Sequence, residues 1–261
     1  MKMKDFLSGK KFNIFYSLAA IILMWVVWLI VGAAVKNEFL VAPFSQSAKE
    51  FFTLFGKTFF WRALSASLLR TLVAFLLSFA LALGCACLAV AFKPFAAFMR
   101  PVVALFRSLP TMAVLLLILV WLTPKSAPVA VAFLVLFPMI YSQLSDRISA
   151  VDGDLLQMAE VYNFTAKQKL VCIYLPHVAP AALEQTGSNL SFGLKLIVSA
   201  EVMASTYTAI GGMMAEAQAY INLPRIAALT LVTVFFGIAI EYAFRALSRC
   251  LNKRTRAMKD D

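Results

Sequence analysis

An uninterrupted apolar run near the start of the chain decides the fold class. Residues 14–35 read IFYSLAAIILMWVVWLIVGAAV and contain no charged side chain. A helix of about 20 apolar residues is long enough to cross a bilayer. No small-residue cleavage site follows the run, so we interpret it as a membrane span and not as a signal peptide.

The composition extends this interpretation to the whole chain. Of the 261 residues, 62% are hydrophobic and only 14% are charged, whereas soluble domains carry about 25% charged residues. Too little polar surface remains to coat a soluble globule, so lipid must surround much of the protein. We predict an all-α membrane protein that forms one domain over residues 1–261. About six transmembrane helices are expected, at residues 14–35, 67–92, 101–122, 127–143, 178–205 and 223–247.

The net charge of +11 reflects membrane topology better than nucleic-acid binding, because the charges lie between apolar runs. Most of the 24 Lys and Arg residues fall in the two termini and in the loops after the second and fourth spans. The opposite side carries only Lys36, Lys49, Lys57, Arg62 and Lys125. Lys and Arg collect on the cytoplasmic side of membrane proteins. We therefore expect a multi-pass protein of the inner membrane with both termini in the cytoplasm.

Metal binding and catalysis have little support in the sequence. The four cysteines show no metal-ligand spacing and fit small buried side chains. His177 is the only histidine, and Ser188 lies about three helical turns away, too far for a catalytic pair. We therefore expect no metal site and no catalytic residue.

The polar segment 152–176 between the fourth and fifth spans carries signals for two short helices. Asp154 is predicted to cap the first helix with Gln157 as its capping-box partner, and Asn163 suits the left-handed conformation at a helix end. Thr165 is predicted to cap the second helix, and Pro176 to end it. This spacing fits either a docking element or an amphipathic linker on the membrane surface.

The same segment resembles the signature loop of permease subunits of binding-protein-dependent ABC importers. That loop contains E-A-A, three residues, G, nine residues and I-x-L-P. In this chain Gln157, Met158 and Ala159 stand at the E-A-A position, Asn163 at the glycine, and residues 173–176 read IYLP. The lead-in at residues 151–156 reads VDGDLL, similar to the family's V-D-P-D-L-L.

Further segments are similar to the nitrate, sulfonate and taurine type within that family. They are SLLR at residues 67–70, GLK at 193–195, AE at 200–201, GG at 211–212 and LPR at 223–225. The resemblance implies a type I importer permease that works as a homodimer. Its partners would be two cytoplasmic ATPase subunits and an extracytoplasmic solute-binding protein. The helix near Asp154 would be the coupling helix, with Ala159 allowing close approach to a groove on the ATPase.

No G-x4-G-K-[ST] loop is present, so ATP and Mg are expected on the partner ATPase and no cofactor is expected in this chain. The leading hypothesis is a permease that imports a small solute, such as a sulfonate, taurine or nitrate anion. A self-contained secondary transporter driven by an ion gradient is the alternative, and an intramembrane enzyme is a third.

Three ionisable residues within the predicted spans are candidates for the pathway or for intramembrane pairing. A charged side chain at the centre of a bilayer costs about 2.5–3.5 kcal/mol, so such groups face a cavity or a partner. Lys195 and Glu201 lie six residues apart and do not share a helix face, so each needs a partner on another span or subunit. Lys195 can attract an anion or form a structural ion pair. Arg70 lies near the outer end of its span, where snorkelling explains it most simply.

Overall fold

The protein forms a bundle of helices in a computed structural model that describes residues 10–35 and 41–260. Eleven α-helices are found in these ranges, and no strand occurs there. They are α1 (Lys10–Val35), α2 (Phe44–Phe55), α3 (Thr58–Ala91), α4 (Lys93–Ser108), α5 (Thr111–Trp121), α6 (Ala127–Ser149), α7 (Gly153–Val161), α8 (Ala166–Lys169), α9 (Leu175–Met203), α10 (Ile210–Ala219) and α11 (Leu223–Asp260). A π-helical turn, Leu170–Tyr174, joins α8 to α9.

Within the described residues, three helical stretches are long and apolar enough to cross a membrane by length and composition. They are Thr58–Ala91, Ala127–Ser149 and Leu223–Arg249. The pair α4 and α5 provides a fourth if it counts as one broken span. Ile22–Gly32 is a shorter apolar piece of α1, and α9 is not in this apolar set although it has 29 residues. The count of six spans therefore stays a prediction.

The helices of the fourth and sixth predicted spans extend past their predicted ends, to Ser149 and Asp260. The second and third predicted spans differ more from the helices observed. The second begins at Thr58, nine residues before its predicted start, because Phe60, Ala63 and Leu64 are buried in its first turns. The third is not one straight helix: α4 and α5 meet at an angle of 92°. Pro110 lies at this break and lacks the N–H that would continue the helical ladder, while Leu109 is extended as residues before proline prefer to be.

Small residues allow α3 to lie close to its neighbours. Five small residues on its buried side are spaced three or four residues apart: Ser67, Thr71, Ala74, Ser78 and Ala82. Lipid tails are as apolar as leucine, so membrane helices associate by close packing and hydrogen bonds, which small residues permit. Most of this α3 face packs on α6 and α9, which form the centre of the bundle.

Two clusters of larger side chains fill the remaining space. One joins α3, α4, α6 and α9 around Leu136 and Ile140, and the other joins α2, α3, α9, α10 and α11 around Leu194 and Leu229. Gly187 lies where α9 crosses α11, and a Cβ atom there would be 2.8 Å from the Cβ of Phe244. Glycine at position 187 therefore allows the close approach of α9 and α11.

Candidate functional site

The hairpin between α6 and α9, residues 152–176, begins with an aspartate cap. Asp152 accepts a hydrogen bond from the backbone N–H of Asp154 at 3.0 Å, so it is Asp152 that caps α7. The prediction that Asp154 is the cap was wrong by two residues. Asp154 instead lies in the first turn, where its charge favours the helix N-terminus, and Gln157 is exposed on the same helix.

A left-handed residue ends α7 as the sequence predicted. Asn163 has φ 54°, and two backbone bonds form around it: Asn163 N to Glu160 O at 3.0 Å and Phe164 N to Ala159 O at 2.8 Å. This pair of bonds is the Schellman motif, which satisfies carbonyl groups that a helix end leaves unpaired. The chain direction after α7 is therefore fixed by backbone hydrogen bonds.

The capping box predicted at the second helix is confirmed. The side-chain oxygen of Gln168 accepts from the backbone N–H of Thr165 at 2.8 Å, and the Thr165 hydroxyl accepts from the N–H of Gln168 at 3.3 Å. Pro176 does not end that helix, contrary to the prediction. The π turn widens the helix just before it, with Leu175 N bonded to Leu170 O, so α8 continues into α9 despite the missing N–H of Pro176.

Ala159 lies inside the hairpin and not on its surface. It is fully buried against Val151 and Ile173, with Leu156 and Phe164 beside them. The expectation that Ala159 itself meets a groove on a partner is therefore wrong, because its small size is needed for α7 to pack on its own chain. The outward side of α7 carries four apolar residues instead: Leu155, Met158, Val161 and Tyr162. We call these four residues the α7 apolar patch.

A buried charge network joins α3 to the end of α9. The Nη1 atom of Arg70 lies 2.7 Å from Oε1 of Glu201, and the two side chains are 11% and 0% exposed. Both Nη1 and Nη2 of Arg70 also donate to the carbonyl of Thr208 at 3.2 Å. Arg70 therefore turns toward Glu201. The simpler sequence interpretation, that Arg70 snorkels to the membrane surface, was wrong.

The carboxylate of Glu201 receives two further donors. Ser67 Oγ lies 2.7 Å from Oε2 of Glu201, and the backbone N–H of Gly211 donates to the same oxygen at 3.2 Å. The Ser67 hydroxyl oxygen in turn accepts from Ile210 N at 3.0 Å. A Cβ atom on Gly211 would overlap Glu201 and the backbone of Val198, so only glycine fits where α10 meets α9. The network fixes the loop 204–209 against α3.

Three of the motif fragments found in the sequence meet in this one network. SLLR supplies Ser67 and Arg70, AE supplies Glu201, and GG supplies Gly211. The sequence analysis did not predict that these residues meet, or that the carbonyl of Thr208 accepts from Arg70. A signal was present, because all three fragments came from the same family resemblance and contain groups that can form hydrogen bonds with one another.

Lys195 lies apart from the network. Its side chain is exposed, and it forms no ion pair within the described part of the chain. It belongs to a row of exposed residues along one side of α9, which we call the α9 exposed face. The row consists of Glu184, Ser188, Phe192, Lys195, Ser199 and Met203. The spacing of three or four residues places them on one side of the helix.

A reciprocal amide pair, also missed in the sequence, connects α9 to α6. Gln143 Nε2 donates to Asn189 Oδ1 at 3.1 Å, and Asn189 Nδ2 donates to Gln143 Oε1 at 2.9 Å. Amide groups buried in a membrane protein need such partners. Because α6 and α9 are the two helices that flank the hairpin, the pair holds them at a fixed separation above it.

Comparison with known proteins places these features in a family. Residues 78–257 match the family of binding-protein-dependent transport system inner membrane components. The aliphatic sulfonates transport permease protein SsuC of Bacillus subtilis (strain 168) is 28% identical over 194 residues, which is 73% of this chain and 69% of that protein.

Two solved transporters share the fold. The crystal structure of an amino acid ABC transporter with histidines aligns with a TM-score of 0.61 at 16% identity, over 80% of this chain and 97% of that one. A bacterial alginate ABC transporter, in complex with a periplasmic protein that holds an alginate pentasaccharide, aligns with a TM-score of 0.61 at 17% identity. That alignment covers 95% of this chain and 99% of the other. The chain belongs to the binding-protein-dependent transport system inner membrane component family, and it is a permease subunit of an ABC importer with the type I fold.

Proposed function

We propose that this permease imports a small organic anion, such as an aliphatic sulfonate, as one half of a homodimer. Energy comes from ATP and Mg bound by two separate ATPase subunits, and this chain holds no cofactor of its own. An extracytoplasmic solute-binding protein delivers the substrate. Both termini and the hairpin 152–176 lie in the cytoplasm, on the side favoured by the distribution of Lys and Arg.

The observation that carries the proposal is the geometry of the hairpin. It is capped at Asp152, turned at Asn163 and capped again at Thr165, so its shape does not depend on a partner. On this rigid support the α7 apolar patch is exposed, with Val161 at 78% and Tyr162 at 71%. Exposed aromatic and aliphatic side chains on a fixed helix are typical of a surface that fits a groove in a partner protein.

The connections of the hairpin suit the transmission of movement. At one end α6 stops at Ser149, a few residues before α7, and at the other end α8 continues through the π turn into α9. A displacement of α7 would therefore move α9 as part of one helical rod. Rigid-body motion of packed elements is a common form of switching transition, and closure of the ATPase pair would supply it here.

Two exposed helix surfaces, one on α1 and one on α9, support a homodimer. The main contact of α1 is with α2, through Trp25 and Trp28 on the ring of Phe44, while Met24 is 75% exposed. The α9 exposed face carries charged and hydroxyl groups, which are costly against lipid. A second copy of the chain could pack on α1 and enclose the α9 exposed face, and it would then shield both surfaces from lipid. Lys195 would then lie beside the pathway and attract an anion.

The anion assignment draws on Lys195 and on the relative. SsuC is named for aliphatic sulfonates, and one cation with no carboxylate partner in the described chain lies midway along the α9 exposed face. A lysine in such a place lowers the barrier for a negative solute and raises it for a positive one. We expect Lys195→Gln to reduce anion uptake while the complex still assembles.

Assembly with the ATPase tests the proposal. Tyr162→Asp places a charge in the α7 apolar patch and should weaken binding of the ATPase subunit about thirtyfold, since central aromatic contacts contribute about 2 kcal/mol. Tyr220→Asp is a matched control, because Tyr220 also follows a short helix as its C-cap and is 79% exposed. Equal retention of the ATPase by both variants would contradict the docking role of the hairpin.

A further inference from the structure

Two adjoining cavities open at the end of the bundle where α3 begins and α9 ends. The first has a volume of about 710 Å³ and the second of about 720 Å³. Arg70, Thr123 and Lys125 line both of them, so the cavities meet at these three residues. Small-molecule sites have volumes of about 300–1,000 Å³. We call the joined space the outer cavity, and it is separate from the hairpin and from the α9 exposed face.

The first half of the outer cavity is apolar. It lies between α3 and α6; Ser126 lines it next to the junction, and the side chains that line it farther away are Leu77, Leu81, Val129, Ala130 and Phe133. These walls offer dispersion contacts and no hydrogen-bond partner. A saturated hydrocarbon chain suits them, and a compact hydrated ion does not.

The junction between the halves is polar and positively charged. Lys125 is exposed and has no ion-pair partner in the described part of the chain. Arg70 has five N–H groups, of which its bonds to Glu201 and Thr208 use three. Since Glu201 balances the charge of Arg70, Lys125 supplies the net positive charge and Arg70 can offer the remaining donors to an anionic head group.

The second half of the outer cavity is a polar approach to this junction. Its walls include the loop residues Ser205, Thr206, Tyr207 and Thr208, and Tyr207 is 84% exposed. A solute arriving from water can pass such hydroxyl and carbonyl groups without losing all of its hydration. A lipid entering from the side would need only the apolar half, so the polar half favours a soluble ligand.

We propose that the outer cavity binds the transported anion as an amphiphile, with its sulfonate group at Lys125 and Arg70 and its aliphatic chain between α3 and α6. The inference rests on the proposed function, because it takes the ligand to be the imported solute. The apolar half then selects for the length of the carbon chain, and the junction selects for the negative head group. The permease thus contributes to specificity after the solute-binding protein has released its cargo.

Calorimetry with alkyl sulfonates of increasing length tests the apolar half. The purified permease–ATPase complex is placed in nanodiscs of phosphatidylcholine and titrated with methanesulfonate, butanesulfonate and hexanesulfonate, without the solute-binding protein. Each methylene buried in the apolar half should tighten binding about fourfold. Ala130→Phe fills that half and should weaken hexanesulfonate binding while methanesulfonate binding stays unchanged.

Substitution of the junction lysine tests the head-group contact. Lys125→Gln should weaken all three sulfonates about tenfold, the loss typical of one charge-assisted hydrogen bond. Lys57→Gln is the matched control, because Lys57 is an exposed lysine before α3 that lines neither cavity, and it should bind as the wild type does. Equal affinity in Lys125→Gln and Lys57→Gln would overturn the site, as would affinity that does not depend on chain length.

Two further outcomes separate this inference from the proposed function. If phosphatidylglycerol added to the nanodiscs abolishes sulfonate binding, the outer cavity holds an acidic lipid and the solute assignment is overturned. If the complex hydrolyses ATP in response to its solute-binding protein but binds no alkyl sulfonate, the cavity assignment fails and the permease function stands. If no ATPase subunit co-purifies with the wild-type chain, the proposed function fails first.

Discussion

The pair formed by Arg70 and Glu201 should be strongly coupled in stability. Glu201 is fully buried and accepts bonds from Ser67, Arg70 and Gly211. Removal of one partner of a buried ion pair costs about 3–5 kcal/mol, because the other charge is left without compensation. We therefore expect Glu201→Met and Arg70→Met each to destabilise the permease by roughly this amount.

The double variant should lose much less than the sum of the two single losses. With both charges absent, no uncompensated ion remains, and the cost is limited to the polar groups of Ser67, Gly211 and Thr208 that lose their partners. Contacting residues in one network show coupling energies of about 0.5–3 kcal/mol, and this pair should lie at the upper end of that range.

The assay is thermal unfolding of the purified permease–ATPase complex in detergent, followed by the monodisperse fraction that survives heating. Each kcal/mol should shift the midpoint by about 2–4 °C for a chain of this size. Lys195→Met is the control, since Lys195 is exposed and forms no ion pair in the described chain. Additive losses from the two single variants would refute the claim that Arg70 and Glu201 act as one unit.

Three more substitutions test separate features of the fold. Ile221 has φ 53° although it is β-branched, so Ile221→Gly should raise the unfolding midpoint by relieving about 1–2 kcal/mol of strain; a lower midpoint would contradict this. Gly211→Ala should loosen the loop 204–209, because its methyl group overlaps Glu201, and faster proteolysis within that loop would report it. Gly84→Ala is the control and should be cleaved as the wild type is, because a Cβ atom there meets nothing within 4 Å. Ala159→Leu should overpack the hairpin by about 1–3 kcal/mol and lower ATP-driven uptake while the spans stay inserted. Uptake equal to that of the wild type would show that the interior of the hairpin tolerates the larger side chain.

Local signals in the sequence predicted the parts of the hairpin that depend on neighbouring residues. A capping box needs only Thr165 and Gln168, and a left-handed helix end needs only a residue such as Asn163, so both could be found from spacing. The burial of Ala159 could not, because it results from Val151 and Ile173, which approach from the two ends of the hairpin.

Contacts between residues on different helices could not be predicted from the helical period. The helical period separates Glu201 from Lys195 by face, but it does not say that Arg70, more than a hundred residues earlier, supplies the countercharge. The 92° angle between α4 and α5 depends on packing as well as on Pro110, and the sequence analysis expected one span over residues 101–122 there. The outer cavity likewise exists only once the loop after α5 and the loop after α9 lie together.

Site-specific labelling of the hairpin tests the central claim most directly. The four cysteines of the chain, Cys85, Cys87, Cys172 and Cys250, are first replaced by serine, after which Val161→Cys places a single thiol in the α7 apolar patch. A membrane-impermeant maleimide should leave this thiol unmodified in intact cells, label it in inverted vesicles, and be excluded when the ATPase subunit is bound. Labelling of the thiol from outside intact cells, or equal labelling in inverted vesicles with and without the ATPase, would contradict the account.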